Sequence, residues 1–134
     1  MKQMEADVVV VACGMSGLAA LTQAQESLNA TGGGSAVAFE KSGTSGGSAN
    51  MGMALLAFES QIQKEAMVND FTKDDAFRFF MEYTHWRSNA RLVRRWFEMS
   101  SETIDWLQKI GVEFLGVYKY FKNSHVTQHM VKTP

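Results

Sequence analysis

Apolar positions follow a strand-like pattern at the start of the chain and a helical pattern afterwards. A strand is predicted over residues 7–11, which include four consecutive valines, and a second strand over Ala36–Phe39. The stretch between them, roughly residues 15–29, has helical spacing. An uninterrupted β-branched run is typical of a strand buried on both faces of a parallel sheet. The order predicts one β-α-β unit with a right-handed crossover.

Helical spacing continues through the middle of the chain. Met53 to roughly Met67 is predicted as a helix, and Val68–Phe71 as a connection. Thr72, followed three residues later by Asp75, resembles a capping box. A further helix is therefore predicted to begin near Thr72.

The longest helical pattern extends from Asn89 to Ile110. A break near Ser100-Ser101 would split it into two helices. Gly111 is predicted to cap its C-terminus, and Val112–Val117 to form a short strand. The tail, Tyr118–Pro134, has weak periodicity and yields no predicted element.

These elements predict an α/β fold with an incomplete sheet. Doubly wound domains have about five or six parallel strands, with helices over both faces. This chain shows two such strands, so a single crossover helix would leave their valines and phenylalanine partly uncovered. We expect the chain to be the N-terminal part of a longer fold, or to take its missing strands from another chain.

Composition excludes several classes of protein. The 134 residues are 46% hydrophobic and 20% charged, with a net charge of −1, as in a soluble globular protein. Neither half is biased enough to favour nucleic acid or an anionic membrane surface. No secretion signal is evident, and nothing approaches the roughly 18 apolar residues of a transmembrane helix. The single cysteine, Cys13, excludes an internal disulfide, so a reduced, cytoplasmic setting is expected.

A Gly-rich turn joins the first strand to the first helix. The dinucleotide fingerprint G-x-G-x-x-G is matched here by Ala12, Gly14 and Gly17. Gly14 would let a pyrophosphate approach the backbone, and Gly17 would let the helix pack closely on the strand. Ala12 would have to make the tight turn with a negative φ, because it carries a Cβ. Glu40 ends the second strand, where an acidic residue can bind ribose hydroxyls. The alternative is an ordinary β-α-β turn with a surface glutamate.

A second Gly-rich segment, KSGTSGGSANMG at 41–52, changes the interpretation. DVVVVACGMSGLAAL, FEK at 39–41 and GTSGGSANMG at 43–52 together resemble the FAD-binding domain of the fumarate reductase/succinate dehydrogenase flavoprotein family. THWRSNARLVRRWFEMSSETIDWLQKIGVEF, at 84–114, is similar to the helical stretch leading to that family's W-L-x-x-x-G-V-x-F turn. The resemblance spans about residues 6–114. A flexible surface loop is the alternative for 41–52.

The resemblance implies a partial Rossmann-like domain and a set of FAD-binding residues. Residues 1–114 would be the N-terminal part of the FAD-binding domain, and 115–134 the truncated start of a further segment such as a capping region. The residues implied to contact the pyrophosphate are Gly14, Met15, Ser16 and Gly17, and those at the adenosine ribose are Glu40 and Lys41. In the second segment, the residues implied to line the pyrophosphate and ribityl chain are Ser45, Gly46, Gly47 and Ser48. Those implied to approach the isoalloxazine are Asn50, Met51 and Gly52.

The resemblance also implies an activity for the full-length enzyme. Hydride would pass between FAD and an unsaturated or saturated carboxylate-type substrate. Members with covalent flavin carry a histidine in the second Gly-rich segment; residues 41–52 contain none, so FAD is expected to bind noncovalently. The family's catalytic histidines and arginines belong to later segments, so no catalytic residue is predicted. The alternatives are an NAD(P)-binding Rossmann fragment and a noncatalytic dinucleotide-binding or interaction module.

Other candidate groups favour ordinary structural roles. His125 and His129 have a metal-ligand spacing if helical, but no third ligand accompanies them, so we predict a solvated or partly buried pair and no metal site. Four arginines form a stripe that is better explained as a solvated helix face with ion pairs to Glu98: Arg87, Arg91, Arg94 and Arg95. Cys13 is expected to be buried in its turn.

Overall fold

The chain divides into two compact units. The computed structural model describes residues 3–52 and 54–132. The boundary between the units follows Gly52, and we call them the N-terminal unit and the C-terminal unit. The predicted α/β class is confirmed, with a parallel pair of strands in the first unit and an antiparallel sheet in the second. The assignment of residues 1–114 to one cofactor-binding domain, with a further segment from 115, stays a prediction.

The N-terminal unit is the predicted β-α-β unit. Its elements are β1 (Val8–Val11), α1 (Met15–Ala30) and β2 (Ala36–Phe39). The strands are parallel, with Val8 opposite Ala36 and Val11 opposite Phe39. A 3-10 helix, Gly47–Met51, follows in the second Gly-rich segment. The local sequence patterns therefore place β1, α1 and β2 within one residue of their observed bounds, whereas the 3-10 helix was not predicted.

Hydrogen bonds from one α1 side chain order the connection between α1 and β2. The Gln25 amide oxygen accepts from the Ala36 N–H at 3.0 Å, and its nitrogen donates to the Gly34 carbonyl at 3.0 Å. Gly32 and Gly33 have φ of 113° and 102°, a left-handed conformation that suits glycine after a helix. The entry into β2 is thus held from the helix.

One face of the parallel sheet is exposed. Val9 and Val11 are 55% and 82% exposed, and Phe39 is 50% exposed. Val8 and Val10 are half-buried, consistent with α1 covering the opposite face. The prediction of burial on both faces is therefore wrong for this chain, whereas the expectation of partly uncovered valines and phenylalanine is confirmed.

The C-terminal unit combines three helices with an antiparallel sheet. The helices are α2 (Gln61–Glu65), α3 (Lys73–Tyr83) and α4 (Ala90–Lys109). The strands are β3 (Ala54–Leu56), β4 (Phe114–Lys119) and β5 (Val126–Val131), in the sheet order β3-β5-β4.

Two elements of this sheet differ from the sequence-based expectation. The helix predicted from Met53 to Met67 is wrong, because Ala54–Leu56 form β3 and helix begins only at Gln61; Met53 itself lies outside the described residues. The weakly periodic tail contains β5, which pairs with β3 through Leu55 opposite His129. The tail's last residues, 133–134, also lie outside the described residues. Strand pairing across more than seventy positions overrides the local helical pattern.

The two long helices follow their predicted signals. The Thr72 side chain accepts from the Asp75 N–H and the Asp75 side chain accepts from the Thr72 N–H, which confirms the capping box. Gly111, with φ of 99°, donates its N–H to the Gln108 carbonyl after α4. No break occurs at Ser100, whose hydroxyl donates to the Phe97 carbonyl at 2.7 Å within the continuous helix.

A compact aromatic core stabilises this unit. The buried cluster consists of Phe58, Ala76, Met81, Val93 and Phe97. The Phe58 and Phe97 ring centroids are 4.8 Å apart in an edge-on arrangement. No helix in the part of the chain described by the structure is both long and apolar enough to cross a membrane.

Candidate functional site

The first Gly-rich turn has an unusual backbone at Ala12. Its φ is +82°, so the prediction of a negative φ is wrong. The Ala12 N–H donates to the Phe39 carbonyl at 2.7 Å, extending the parallel strand pairing into the turn. A left-handed conformation costs a residue with a Cβ roughly 1–2 kcal/mol. Ala12 therefore adopts the backbone of the glycine that the fingerprint expects at this position.

Gly17 is required by the packing of the turn against α1. A Cβ at Gly17 would overlap the Ala12 carbonyl oxygen and would lie 3.1 Å from its carbonyl carbon. The same Cβ would lie 3.6 Å from Val10 Cγ1. The predicted role of Gly17 in close helix–strand packing is confirmed.

Gly14 has no such role in the packing of the protein. Apart from Gly14 itself and its two chain neighbours, no atom of the described residues lies within 4 Å of the position where its Cβ would be. Gly14 is the N-cap of α1, with extended backbone angles and without a capping side chain in the described structure. The first helical bond runs from the Leu18 N–H to the Gly14 carbonyl at 2.9 Å. The preceding amides of the first turn thus have no partner within the helix and suit an anion.

The second Gly-rich segment docks on the first through main-chain atoms. The Gly46 N–H donates to the Cys13 carbonyl at 2.7 Å, and Gly14 and Gly46 form a parallel β-bridge. A Cβ at Gly46, where φ is +105°, would overlap the Asn50 side chain. The Asn50 amide nitrogen in turn donates to the Ser45 carbonyl at 2.9 Å. These contacts place the two segments side by side at the start of α1.

Glu40 connects both segments. Its Oε2 accepts from the Cys13 N–H at 2.8 Å, and its Oε1 accepts from the Ser42 N–H at 2.8 Å. The Cys13 N–H, and after it the Ser42 N–H, lowers the pKa of Glu40 below its ordinary value. The carboxylate therefore remains charged well below neutral pH and holds two backbone amides.

The remaining predicted contact residues vary in their placement. Gly47 lies against Gly14: a Cβ added to Gly47 would be 3.7 Å from the Gly14 Cα. The other members of the predicted set are exposed side chains or loop positions: Met15, Ser16, Lys41, Ser45, Ser48, Met51 and Gly52. The structure brings together Gly14, Gly46, Gly47 and, through Cys13, Glu40. Lys41 and Met51 make no hydrogen bond to the first segment within the described residues. All the cofactor contacts stay predictions.

Two participants in this arrangement were not identified from the sequence. Cys13 is buried, as expected, but its backbone N–H and carbonyl also join Glu40 to Gly46. Ser42 contributes its N–H to Glu40, and its side chain also hydrogen-bonds that carboxylate. Main-chain partners carry no residue-type signal, so the spacing of Glu40 from the fingerprint was the one available indication.

The C-terminal unit contains a buried polar cluster. His129 Nε2 lies 2.6 Å from the Ser60 hydroxyl, and its Nδ1 lies 3.2 Å from the Thr127 carbonyl. Both His129 and Ser60 are 0% exposed, and burial lowers the pKa of His129. Ser60 also caps α2 by accepting from the Gln63 N–H at 3.1 Å. This arrangement joins α2 to β5 and leaves no access for a substrate.

The histidine pair is not helical. His129 lies in β5, whereas His125 precedes that strand and stacks on Phe71 with ring centroids 3.8 Å apart. The expectation of a solvated or partly buried pair is wrong for His129, which is completely buried. The described residues contain no group of three metal-ligating side chains.

One arginine of the predicted stripe, Arg94, bonds to the neighbouring helix α3. Arg94 forms an ion pair with Asp74, and its guanidinium lies 4.0 Å from the centre of the Phe77 ring. The expected partner, Glu98, instead accepts from the Lys73 ammonium through its carbonyl oxygen at 3.1 Å. Arg94 thus helps to hold α3 against α4.

Comparison with known proteins links the chain to a reductase. No protein-family profile matches it. It is 35% identical over 111 residues to a vinyl phenol reductase of Lactiplantibacillus plantarum. The match covers 83% of this chain and 21% of the relative, so the chain spans about a fifth of the length of that protein. The chain is therefore similar to one part of an oxidoreductase.

Proposed function

We propose that this chain is the FAD-binding portion of a flavin-dependent oxidoreductase of the fumarate reductase type. The observation that carries the proposal is the bare main-chain surface at Gly14. There the N-terminus of α1 meets the second Gly-rich segment, and no protein atom of the described residues occupies the Cβ position. A phosphate group at such a surface would meet helix amides and the positive end of the helix dipole.

The residues around this surface fit a dinucleotide. The amides of Met15, Ser16 and Gly17 suit the pyrophosphate, and Glu40 lies at the end of β2, where it suits a ribose. We assign the second Gly-rich segment, through Asn50, to the flavin side of the molecule. FAD, bound noncovalently, would supply hydride transfer, while this chain binds and orients it.

The substrate of the complete enzyme is a separate part of the proposal. The family resemblance favours an unsaturated or saturated carboxylate. The relative's name favours a second class, a vinyl phenol, in which the double bond is conjugated to a phenol ring. An assay of the full-length enzyme with reduced flavin and each class in turn distinguishes them by the rate of flavin reoxidation.

The exposed face of the parallel sheet supports a cofactor site completed by further protein. Val9, Val11 and Phe39 present apolar surface opposite α1. In doubly wound domains both sheet faces are covered. We propose that the rest of the flavoprotein, in cis or in trans, covers this face in a cytoplasmic enzyme.

Flavin binding tests the proposal directly. The purified chain is titrated with FAD, and binding is followed by flavin fluorescence and by absorbance after removal of free ligand. Gly14→Val fills the open Cβ position and keeps an extended backbone angle available, so we expect at least about a tenfold weaker affinity. Ala30→Val, at an exposed position at the other end of α1, is the control and should leave the FAD affinity unchanged. Acid denaturation of the complex should release all of the flavin.

Three results would argue against the proposal. Binding of adenine dinucleotides without flavin would favour the NAD(P)-binding alternative. Binding of nucleotides by a full-length protein that transfers no hydride would favour the noncatalytic module. An unchanged FAD affinity in Gly14→Val would remove the main-chain surface from the site.

A further inference from the structure

We propose that Glu40 is a positioning residue that assembles both Gly-rich segments in the free protein, before any nucleotide binds. Its two carboxylate oxygens are directed to two different segments. Oε2 accepts from the Cys13 N–H and Oε1 from the Ser42 N–H, each at 2.8 Å. A residue that served only a ribose would not need a backbone partner for each oxygen.

The position of Cys13 makes this bond consequential. Cys13 follows Ala12, whose φ of +82° is unfavourable for a residue with a Cβ, and it precedes the N-cap Gly14. Its N–H is held by Glu40, and its carbonyl is held by the Gly46 N–H at 2.7 Å. The peptide groups on both sides of Cys13, immediately before the N-cap of α1, are thereby restrained. Charge-assisted hydrogen bonds of this kind are stronger than neutral ones.

Ser42 extends the restraint to the second segment. Ser42 lies two residues after Glu40, and the bond from its N–H to the Glu40 carboxylate closes a turn immediately after β2. This turn precedes Gly46, which forms the bridge with Gly14. One carboxylate therefore orders the beginning of each segment, and the main-chain surface at Gly14 depends on both.

The consequence for ligands rests on the proposed function. If Glu40 positions the amides, its replacement weakens binding of every pyrophosphate compound, including inorganic pyrophosphate, which has no ribose. If Glu40 only binds a ribose, replacing it by glutamine leaves pyrophosphate binding unchanged or improves it, because a negative charge near the anion is removed. The two roles thus predict opposite results with the same variant.

Amide hydrogen exchange in the free protein is the primary test. Glu40→Gln keeps the size of the side chain but replaces one acceptor oxygen with a donor. We expect the amides of Cys13 and Ser42 to exchange about tenfold faster, since their protection requires these bonds. Glu5→Gln is the control, an exposed glutamate of the same unit that should leave both amides unchanged. Unchanged exchange in Glu40→Gln overturns the inference.

Two further measurements separate this inference from the proposed function. If the native chain binds no dinucleotide, the proposed function fails, and exchange in the free protein still decides the role of Glu40. If Glu40→Gln does not fold, the carboxyl carbon of Glu40 is titrated by NMR in the native chain. A carboxyl pKa below the ordinary glutamate value supports the two amide bonds, and a value at or above it overturns the inference. Pyrophosphate affinity that is unchanged or improved in folded Glu40→Gln also overturns it.

Discussion

The two units of this chain are stabilised in different ways. In the C-terminal unit, Phe58, Met81 and Phe97 are at most 3% exposed and pack together as a core. In the N-terminal unit, α1 has no buried residue among those described, and the strand residues Val11 and Phe39 are at least half exposed. The N-terminal unit relies instead on main-chain and carboxylate hydrogen bonds around the Gly-rich turn.

This difference relates structure to the proposed site. Side-chain packing stabilises a unit but leaves little bare backbone, whereas a phosphate-binding surface requires exposed amides and absent side chains. The N-terminal unit has open space at the Cβ position of Gly14, and contacts with Glu40 and Gly46 hold this part of the backbone in place. We infer that the proposed binding surface and the hydrophobic core lie in different units because their requirements conflict.

The largest expected effect is loss of the aromatic core. Phe97→Ala removes a side chain that is 1% exposed and packs edge-on against Phe58 and Phe80. We expect the free energy of unfolding of the C-terminal unit to fall by about 3–5 kcal/mol. All three tryptophans lie in this unit, so denaturant unfolding followed by tryptophan fluorescence measures it. Phe79→Ala, at a position that is 64% exposed, is the control and should cost much less.

Gly17→Ala should have the next largest effect, in the N-terminal unit. The new Cβ overlaps the Ala12 carbonyl oxygen, so we expect destabilisation by about 1–3 kcal/mol, measured by amide exchange in β1 and α1. Gly14→Ala is the matched variant; its Cβ meets open space, so only the poorer N-cap should count, and we expect a smaller loss of about 0.5–1 kcal/mol. Equal destabilisation by both variants would mean that Gly14, too, is required for packing.

The buried His129 should make the C-terminal unit sensitive to moderately acidic pH. Burial lowers the pKa of His129 in the folded state, so the unfolded chain binds the proton more readily. The contribution of neutral His129 to the free energy of unfolding is therefore complete above the unfolded pKa of about 6.5, and it is lost as the pH falls from there toward the folded pKa. For one proton, the free energy of unfolding changes with pH by at most about 1.4 kcal/mol per pH unit.

Urea unfolding between about pH 7 and pH 5 measures this slope, above the range in which carboxyl groups titrate. His129→Gln should remove the dependence, whereas His125→Gln, at a residue that precedes β5, should retain it. An unchanged slope in His129→Gln would show that the buried histidine is not the group responsible.

The smallest expected effect tests the strained turn. Ala12→Gly relieves the φ of +82° but adds flexibility to the unfolded chain, so a net stabilisation of about 0.5–1 kcal/mol is expected. Amide exchange in α1 measures it. Ala38→Gly, in the middle of β2, should have the opposite sign because no positive φ is relieved there. Destabilisation by Ala12→Gly would contradict the conformational argument.

Local signals predicted much of the fold. The β-α-β unit, the Thr72 capping box and the Gly111 cap were all predicted from residues close in sequence, and the structure places them as expected. The candidate site was predicted in part, because glycine positions and Glu40 are visible as residue types. The backbone bonds of Cys13 and Ser42 were not, since any residue with an N–H can make them.

By itself, the sequence determined the elements whose causes are local: the valine strand, the Gly-rich turn, the capped helices and the acidic end of β2. Only the tertiary structure decided that Ala54–Leu56 is a strand, because its partner β5 lies more than seventy residues away. It also decided the positive φ of Ala12, which is maintained by bonds to Phe39 and, through Cys13, to Glu40. Non-local hydrogen bonds outweigh local conformational preference where they satisfy backbone groups that would otherwise lack partners.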